Sequence, residues 1–383
     1  MRIAYDITQT GKDKAGCGYF AYSLIRALAK IDVQNEYFLL NSFGEFVWDW
    51  KASPASCGIE RGNFRLGLQH SNYATARRFW HNPPLNLDQA LGNPDIVHAN
   101  NFFCPSGLHR ARLIYTLYDL NFVDHPEWNT EVNRTLCFDG VYHASLYADL
   151  VLAISEYSRA HFLRIFPHYL PEKVHVVYPA SRYTPSADLK RPKKLPRHVM
   201  ESKFWLCVGT LEPRKNHLGL LRAYARHKAR FGKVLPLVHA GGSGWLMNDF
   251  KDQVRKLSLQ DDVILLGYVD DTVLQWLYQH CFAFVYPSHF EGFGLPVLEA
   301  MSLGAAVITS NTSSIPEIVG DAGILVDPVQ DEELVNAMDE LAGDEKRLAA
   351  LKLAARQRAT SFNWERAAQQ TLELYRCSLK MYK

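Results

Sequence analysis

Short runs of β-branched and aromatic residues alternate with stretches of helical periodicity along most of this chain. That alternation restricts the fold more than any other feature. IAYDIT (3–8) reads as a strand, and Tyr19 to Ile31 as a helix with Phe20, Leu24, Ala27, Leu28 and Ile31 on one face. DIVHAN (95–100), RLIYTLYD (112–119), LVLAIS (150–155) and KVHVVYP (173–179) repeat the strand signal. The rhythm then breaks at PASRYTPSADLKRPKKLP (179–196), which holds four prolines and a basic cluster and reads as an inter-domain connection. It restarts with FWLCVGT (204–210), a helix near Asn216 to Arg230, and strands at VLPLVHAGG (234–242), DVILLGYV (262–269), FAFVYPS (282–288), AAVITS (305–310) and GILVDP (323–328). Strands separated by helices build parallel sheets covered on both faces. The expectation is an α/β chain of two Rossmann-like, doubly wound domains, 1–185 and 200–361, with functional loops at the carboxyl ends of the strands and a cleft between the domains. The tail, 362–383, reads as an amphipathic helix with Trp364, Ala367, Ala368, Leu372, Leu374 and Tyr375 as its apolar positions.

The length of 383 residues supports two cores, and a net charge of +2 gives no reason to expect nucleic acid as a partner. The seven cysteines stand singly, several inside apolar runs, as Cys207 does in FWLCVG. Buried free thiols in a reducing compartment account for that pattern. The N-terminal apolar run is too short for a signal-peptide core, and no stretch approaches the roughly 18 apolar residues of a membrane span. The expectation is a cytoplasmic protein that at most rests on the inner face of the membrane. The basic cluster KRPKK (190–194) would supply such a peripheral contact, although a solvated linker explains it better.

The densest chemistry lies in HFEGFGLPVLEAMSLGAAVITS (289–310). A strand ends before a loop with Glu291, Gly292, Phe293 and Gly294. Pro296 suits the first position of a helix that carries Glu299 in its first turn and stops at Gly304. A helix start with free N–H groups beside glycines suits phosphate, while two carboxylates suit sugar hydroxyls. Together they describe a nucleotide-sugar. VGTLEPRKNHLGLL (208–221) adds Arg214 and Lys215 at another strand's carboxyl end, where fixed cations would stabilise charge growing on a leaving diphosphate.

EGFGLPVLE and GTLEPRKN resemble the Glu-x7-Glu signature and the phosphate loop of the retaining glycosyltransferases of family 4, which have the GT-B fold. GYV (267–269), SSIPEIVGDAGILVDP (313–328) and FNWERAA (362–368) extend the likeness through the second half. The resemblance implies that Arg214 and Lys215 hold the donor diphosphate and Glu299 the ribose hydroxyls. Glu291 would meet the transferred sugar. Phe293, Gly294 and Leu295 would face sugar and phosphates through their backbone, and Tyr268 or Val269 would lie near the base. It also implies that the final helix crosses back to the first domain. The form of the first half, YDLNFVDHPEW followed by AISEYSR, looks like bacterial mannosyltransferases of O-polysaccharide assembly. The implied donor is GDP-mannose ahead of UDP-sugars, and the implied acceptor a glycan or lipid-linked oligosaccharide.

In the first half, Gly16-x-Gly18-x-x-Ala21 is a weak dinucleotide fingerprint, because a long loop separates it from the strand. By resemblance it is a glycine loop between donor and acceptor, with Gly18 as the residue that carries over. Tyr118-Asp119 stands where the family commonly has His-Asp. Tyr118 is no base near neutral pH without a large pKa shift, and transfer of the retaining kind needs none, since the leaving phosphate can take the acceptor proton. Asp119 and His98 complete the acceptor-side candidates, His98 also reading as an ordinary core histidine. No HExxH, paired Cys/His or Asp-x-Asp pattern appears, so neither a metal nor any other cofactor is expected. Two other readings share this sequence. One is a nucleotide-sugar epimerase of the same architecture; the other is a non-catalytic glycan-binding protein.

Overall fold

In the computed structural model the chain divides into two compact units, Met1–Pro179 with Asn363–Lys383, and Ala180–Phe362. The structure describes residues 1–12, 14–44, 51–100, 102–244 and 249–380. The expected tail helix therefore runs at 381–383 outside the described residues.

The first unit holds a seven-stranded sheet. Its strands are β1 (Arg2–Asp6), β2 (Glu36–Leu40), β3 (Phe64–Leu66), β4 (Ile96–Asn100), β5 (Arg112–Leu117), β6 (Leu150–Ala153) and β7 (Val174–Val176), in the order β3-β2-β1-β4-β5-β6-β7. The second unit holds β8 (Trp205–Val208), β9 (Leu237–Ala240), β10 (Val263–Gly267), β11 (Ala283–Tyr286), β12 (Val307–Ser310) and β13 (Ile324–Val326), in the order β10-β9-β8-β11-β12-β13. The pairings among these strands are all parallel. Helices cover both faces, so most strand residues are buried and read as continuous apolar runs. Each sheet reverses its strand order once, between β1 and β4 and between β8 and β11. Loops leaving those strands diverge and open a crevice at their carboxyl ends.

Strands stop earlier than the apolar runs suggest, for a local reason. The Asp6 carboxylate accepts the Thr8 N–H at 2.8 Å, and Asp119 accepts the Asn121 N–H at 3.2 Å. These two-residue turns lead the chain out of the sheet before Thr8 and Asp119, which the sequence places in strands. The strands β2 and β3 were not expected; FRL is three residues long with a charge at its centre.

The helix Trp364–Lys380 belongs to the first unit. It packs on the helix Gly16–Ile31, with Trp364 edge-on to Phe20 at 5.7 Å. Ala367, Ala368, Leu372 and Tyr375 are buried there. At the connection, the unit boundary falls at Pro179/Ala180. Residues 180–185, assigned from sequence to the first domain, bind instead into the second unit. Ser181 meets Ser302 at 2.7 Å, and the Tyr183 hydroxyl donates to Asp271 at 3.1 Å.

Candidate active site

In the second unit the loops after β8 and β11 meet at the reversal of strand order. Gly209, at the end of β8, has φ +142°, and a Cβ on Gly241 would stand 1.9 Å from its carbonyl oxygen. Two backbones therefore run in contact where the crevice begins. A tight turn, Pro213–Lys215, follows, and Asn216 closes it at φ +55°. The Asn216 side chain caps the helix His217–Phe231 by accepting the Gly219 N–H, and donates to the Pro328 carbonyl at 2.7 Å. Arg214 and Lys215 are thus mounted on a turn anchored at both ends.

The two cations do not stand free. Arg214 donates through Nη2 to Glu212 at 2.7 Å and through Nη1 to Glu291 at 2.8 Å and the Phe290 carbonyl at 2.7 Å. The Lys215 ammonium donates to Glu291 Oε1 at 2.8 Å and to the Tyr286 hydroxyl, and lies 3.9 Å from Glu212. Glu291 also accepts from the Tyr286 hydroxyl at 2.8 Å and the Ser288 hydroxyl at 2.7 Å. Burial alone would raise its pKa, but Arg214, Lys215 and these donors hold it down to about 2. Glu291 is therefore an ionised counter-ion. The resemblance places it against a hydroxyl of the transferred sugar; in the fold its oxygens accept from four donors. Tyr286 and Ser288 were missed, although alternation along FAFVYPS puts both on one face.

Beside this cluster begins the helix Leu295–Ser302. Its N-cap is Gly294 at φ +102°, where a Cβ would meet the Ile315 side chain at 2.5 Å, and no side chain caps it. Pro296 takes the second helical position, and Glu299 is the fifth residue, in the second turn. Both lie one step further in than the sequence suggests, because Gly294 starts the helix at Leu295. At the other end Gly304, at φ +81°, terminates it as expected. Phe293 is buried, packing edge-on against Phe362.

Glu299 has a partner that the sequence did not reveal. Arg182, from the connection, donates to it through Nε at 2.7 Å and reaches Asp271 with Nη1 at 3.1 Å. Burial nevertheless keeps the Glu299 pKa above its ordinary value, with Arg182 opposing. Tyr268 is largely exposed just after β10, and Val269 half-buried beside it. In the basic cluster, Arg191 donates to the Val199, Leu195 and Pro196 carbonyls and Lys194 pairs with Asp270. Lys190 and Lys193 of the cluster stand exposed.

In the first unit, Gly18 lies inside the helix Gly16–Ile31 and not in a loop. The Gln9 carbonyl passes so close that a Cβ would stand 2.1 Å from it, so packing accounts for this glycine. The Tyr118 hydroxyl faces the Cys17 carbonyl at 3.1 Å and Asn100 Oδ1 at 3.2 Å. Burial raises its pKa well above the ordinary value, which removes it as a base. Asp119 is half-buried, its Oδ1 held by the Asn121 amide at 2.5 Å. His98 leaves the candidate set: it is wholly buried, with Nδ1 2.5 Å from the Tyr375 hydroxyl and Nε2 2.7 Å from Thr116. Burial lowers its pKa to about 3. Asn100 and Asp6, at the ends of β4 and β1, were missed. Asp6 accepts the Asn100 N–H at 3.3 Å, and burial lifts its pKa to about 7.

Metal-type ligands also gather once among the described residues, at Cys207, His217 and His239, all buried. No helix among those residues is long and apolar enough to cross a membrane.

Residues 16–180 match the family model described as Glycosyltransferase Family 4, and residues 190–358 the model for glycosyl transferases group 1. An O-antigen chain mannosyltransferase B of Escherichia coli is 35% identical over 287 residues, 73% of this chain and 74% of that protein. Among solved structures, sucrose-phosphate synthase of Thermosynechococcus elongatus superposes with TM-score 0.74 at 21% identity, covering 98% of each chain. Anabaena HepE, solved with UDP and glucose, gives TM-score 0.72 at 19% identity over 98% of this chain and 100% of that one.

Proposed function

The chain belongs to glycosyltransferase family 4 and has the GT-B fold, and from that premise we propose that it is a retaining mannosyltransferase of surface polysaccharide synthesis. Its donor is a nucleoside diphosphate sugar, GDP-mannose first. Its acceptor is a glycan or lipid-linked oligosaccharide at the cytoplasmic face of the membrane. The likeness to an O-antigen mannosyltransferase across nearly three-quarters of both chains supports the sugar.

One observation carries the chemical reading: Arg214 and Lys215 are gathered by Glu212 and Glu291 at the strand-order reversal, beside an uncapped helix start at Gly294. Two fixed cations and backbone N–H groups form a receptor for a diphosphate. As the bond from the sugar's anomeric carbon to the phosphate oxygen breaks, the electron pair stays on that oxygen, and the cations stabilise it. The acceptor oxygen bonds to the same face of the sugar and passes its proton to the departing phosphate. No protein base is required, in keeping with the raised pKa of Tyr118. Glu291 positions both cations. Glu299 holds the ribose hydroxyls, with Arg182 fixing its carboxylate, and Tyr268 and Val269 border the base. Arg and Lys take the part that a divalent metal would otherwise play on the diphosphate.

The test is transfer from GDP-[14C]mannose and from UDP-[14C]glucose to extracted lipid-linked glycan, in EDTA, with the product's anomeric configuration read by NMR. Mannose transferred with retention, with EDTA having no effect, is expected. Transfer that requires magnesium, an inverted product, or activity with UDP-glucose alone would each overturn part of the proposal. Donor epimerised with no acceptor present would replace it.

A further inference from the structure

Behind the phosphate-facing turn, the second unit contains a set of side chains that the transfer reaction does not use. Cys207 lies on β8, His239 on the neighbouring β9, and His217 opens the helix that follows the turn. All three are buried, and one ligand atom from each falls within 4.8 Å of the other two.

The hydrogen bonds orient the rings in the same sense. His217 Nε2 lies 3.1 Å from the Thr210 carbonyl, which can only accept, so Nε2 carries the proton and Nδ1 a lone pair. That lone pair points at Cys207, with Nδ1 3.7 Å from Sγ. His239 resembles His217: its ring faces the Gly209 backbone, and its Nε2 is buried with no hydrogen-bond partner among the described residues. A buried imidazole nitrogen without a partner is destabilising unless something occupies it. A backbone carbonyl that fixes the tautomer and turns the other nitrogen inward is the arrangement found behind metal-bound histidines.

We infer that Cys207 Sγ, His217 Nδ1 and His239 Nε2 form a three-ligand site for a thiophilic cation, Cu+ or Zn2+. Bonds of about 2.0–2.3 Å from one ion at trigonal angles place their ligand atoms roughly 3.7 Å apart. The Cys207–His217 pair already has that spacing, and the widest pair must close by about 1 Å, within the reach of side-chain rotation. One thiolate and two imidazoles favour soft ions over magnesium or calcium. The site excludes water, so a neutral assembly is favoured: thiolate with Cu+ carries no net charge, and thiolate with Zn2+ carries one positive charge. On binding, the Cys207 thiol gives its proton to solvent and its sulfur lone pair to the ion, with no change of oxidation state. The ion would tie β8, β9 and the start of the helix behind Lys215 into one unit. This role is independent of the transfer reaction.

The test uses the full chain without a histidine tag, produced reduced and refolded with Zn2+ or, anaerobically, with Cu+. Metal per chain, a thiolate-to-metal charge-transfer band and the melting temperature are measured. The expectation is about one equivalent of either ion with a raised melting temperature, and its loss in both Cys207→Ser and His239→Gln. Cys207→Ser keeps the side chain's size, and His239→Gln keeps a donor for Gly209, so at least one variant should fold. Less than roughly half an equivalent of both ions in the wild type, or metal retained by a folded variant, overturns the inference.

Discussion

Replacing Glu291 with Gln tests the central feature of the proposed donor site, because the side chain keeps its shape while losing its charge and one acceptor oxygen. Glu291 is 6% exposed, and its pKa is held at about 2 against an ordinary 4.5. That depression favours the charged form by on the order of 3 kcal/mol. Removing one partner of a buried ion pair costs a similar amount, about 3–5 kcal/mol. For a unit of this size the melting temperature should fall by about 6–12 °C. The sign with pH follows from the depressed value. The contribution is present above 4.5 and is lost as pH falls through about 2, so the gap between wild type and variant should close in strong acid.

The same substitution should act on binding in the opposite direction. In the wild type, two cations face two carboxylates, Glu212 and Glu291, and the group is neutral. In Glu291→Gln it carries one positive charge, and Lys215 keeps only Glu212, at 3.9 Å. A phosphate held by the cations would sit roughly 5–6 Å from the lost charge, and at an effective dielectric of about 20 the relieved repulsion is about 3 kcal/mol. After partial offset by looser cations, GDP or UDP should bind at least about tenfold tighter while transfer slows. Calorimetric titration of both proteins with both nucleotides reads this directly. Weaker binding in the variant would mean that Glu291 contacts the donor itself, and would refute its role as counter-ion.

Lys215→Ala should slow turnover by about 2–4 kcal/mol, roughly 30- to 1,000-fold, since it removes a cation from the developing phosphate charge; near-full turnover in steady-state kinetics would remove Lys215 from the mechanism. Glu299→Ala should raise the donor Kd with little change in single-turnover rate, and an unchanged Kd would end the ribose assignment. In the first unit, burial lifts the Asp6 pKa to about 7 from 3.8, so the folded state holds this proton more tightly. Stability from that group is full below 3.8 and declines as pH rises through about 7; denaturant titrations should show wild type losing ground to Asp6→Asn across that window, and parallel pH curves would contradict the placement of Asp6.

The two-unit α/β organisation was legible because parallel strands buried on both faces write themselves as continuous apolar runs. Strand ends were not, since Asp6 and Asp119 end strands through side-chain bonds to the backbone two residues on, and neither bond leaves an apolar signature. The glycine at 18 was legible as a special position but not its reason, a carbonyl passing beside a helix. His98 was ambiguous in the same way: one histidine in a strand reads alike whether it faces solvent or, as here, Tyr375 from a helix more than 250 positions away in the chain.

The proposed donor site shows the deeper limit. Residue types and loop positions were legible, because anion binding needs cations, glycines and a helix start at a strand's carboxyl end. Charge pairing was not, because it depends on which side chains the sheet order brings together. Arg214 and Lys215 look like free cations in sequence, yet Glu291 on another loop pairs with both and, together with Glu212, balances their charge. Arg182 looks like linker, yet it holds Glu299 across more than a hundred positions. Each pairing changes the energetics of binding. A cation matched to a carboxylate must exchange one anion for another when a diphosphate arrives, so the site gains less affinity than two free cations would give. It gains geometry instead, because four groups in fixed contact, three of them buried, need little reorganisation as charge moves onto the leaving oxygen. In the proposed reaction that arrangement would hold the diphosphate weakly in the ground state and stabilise the departing one strongly, the balance that favours turnover.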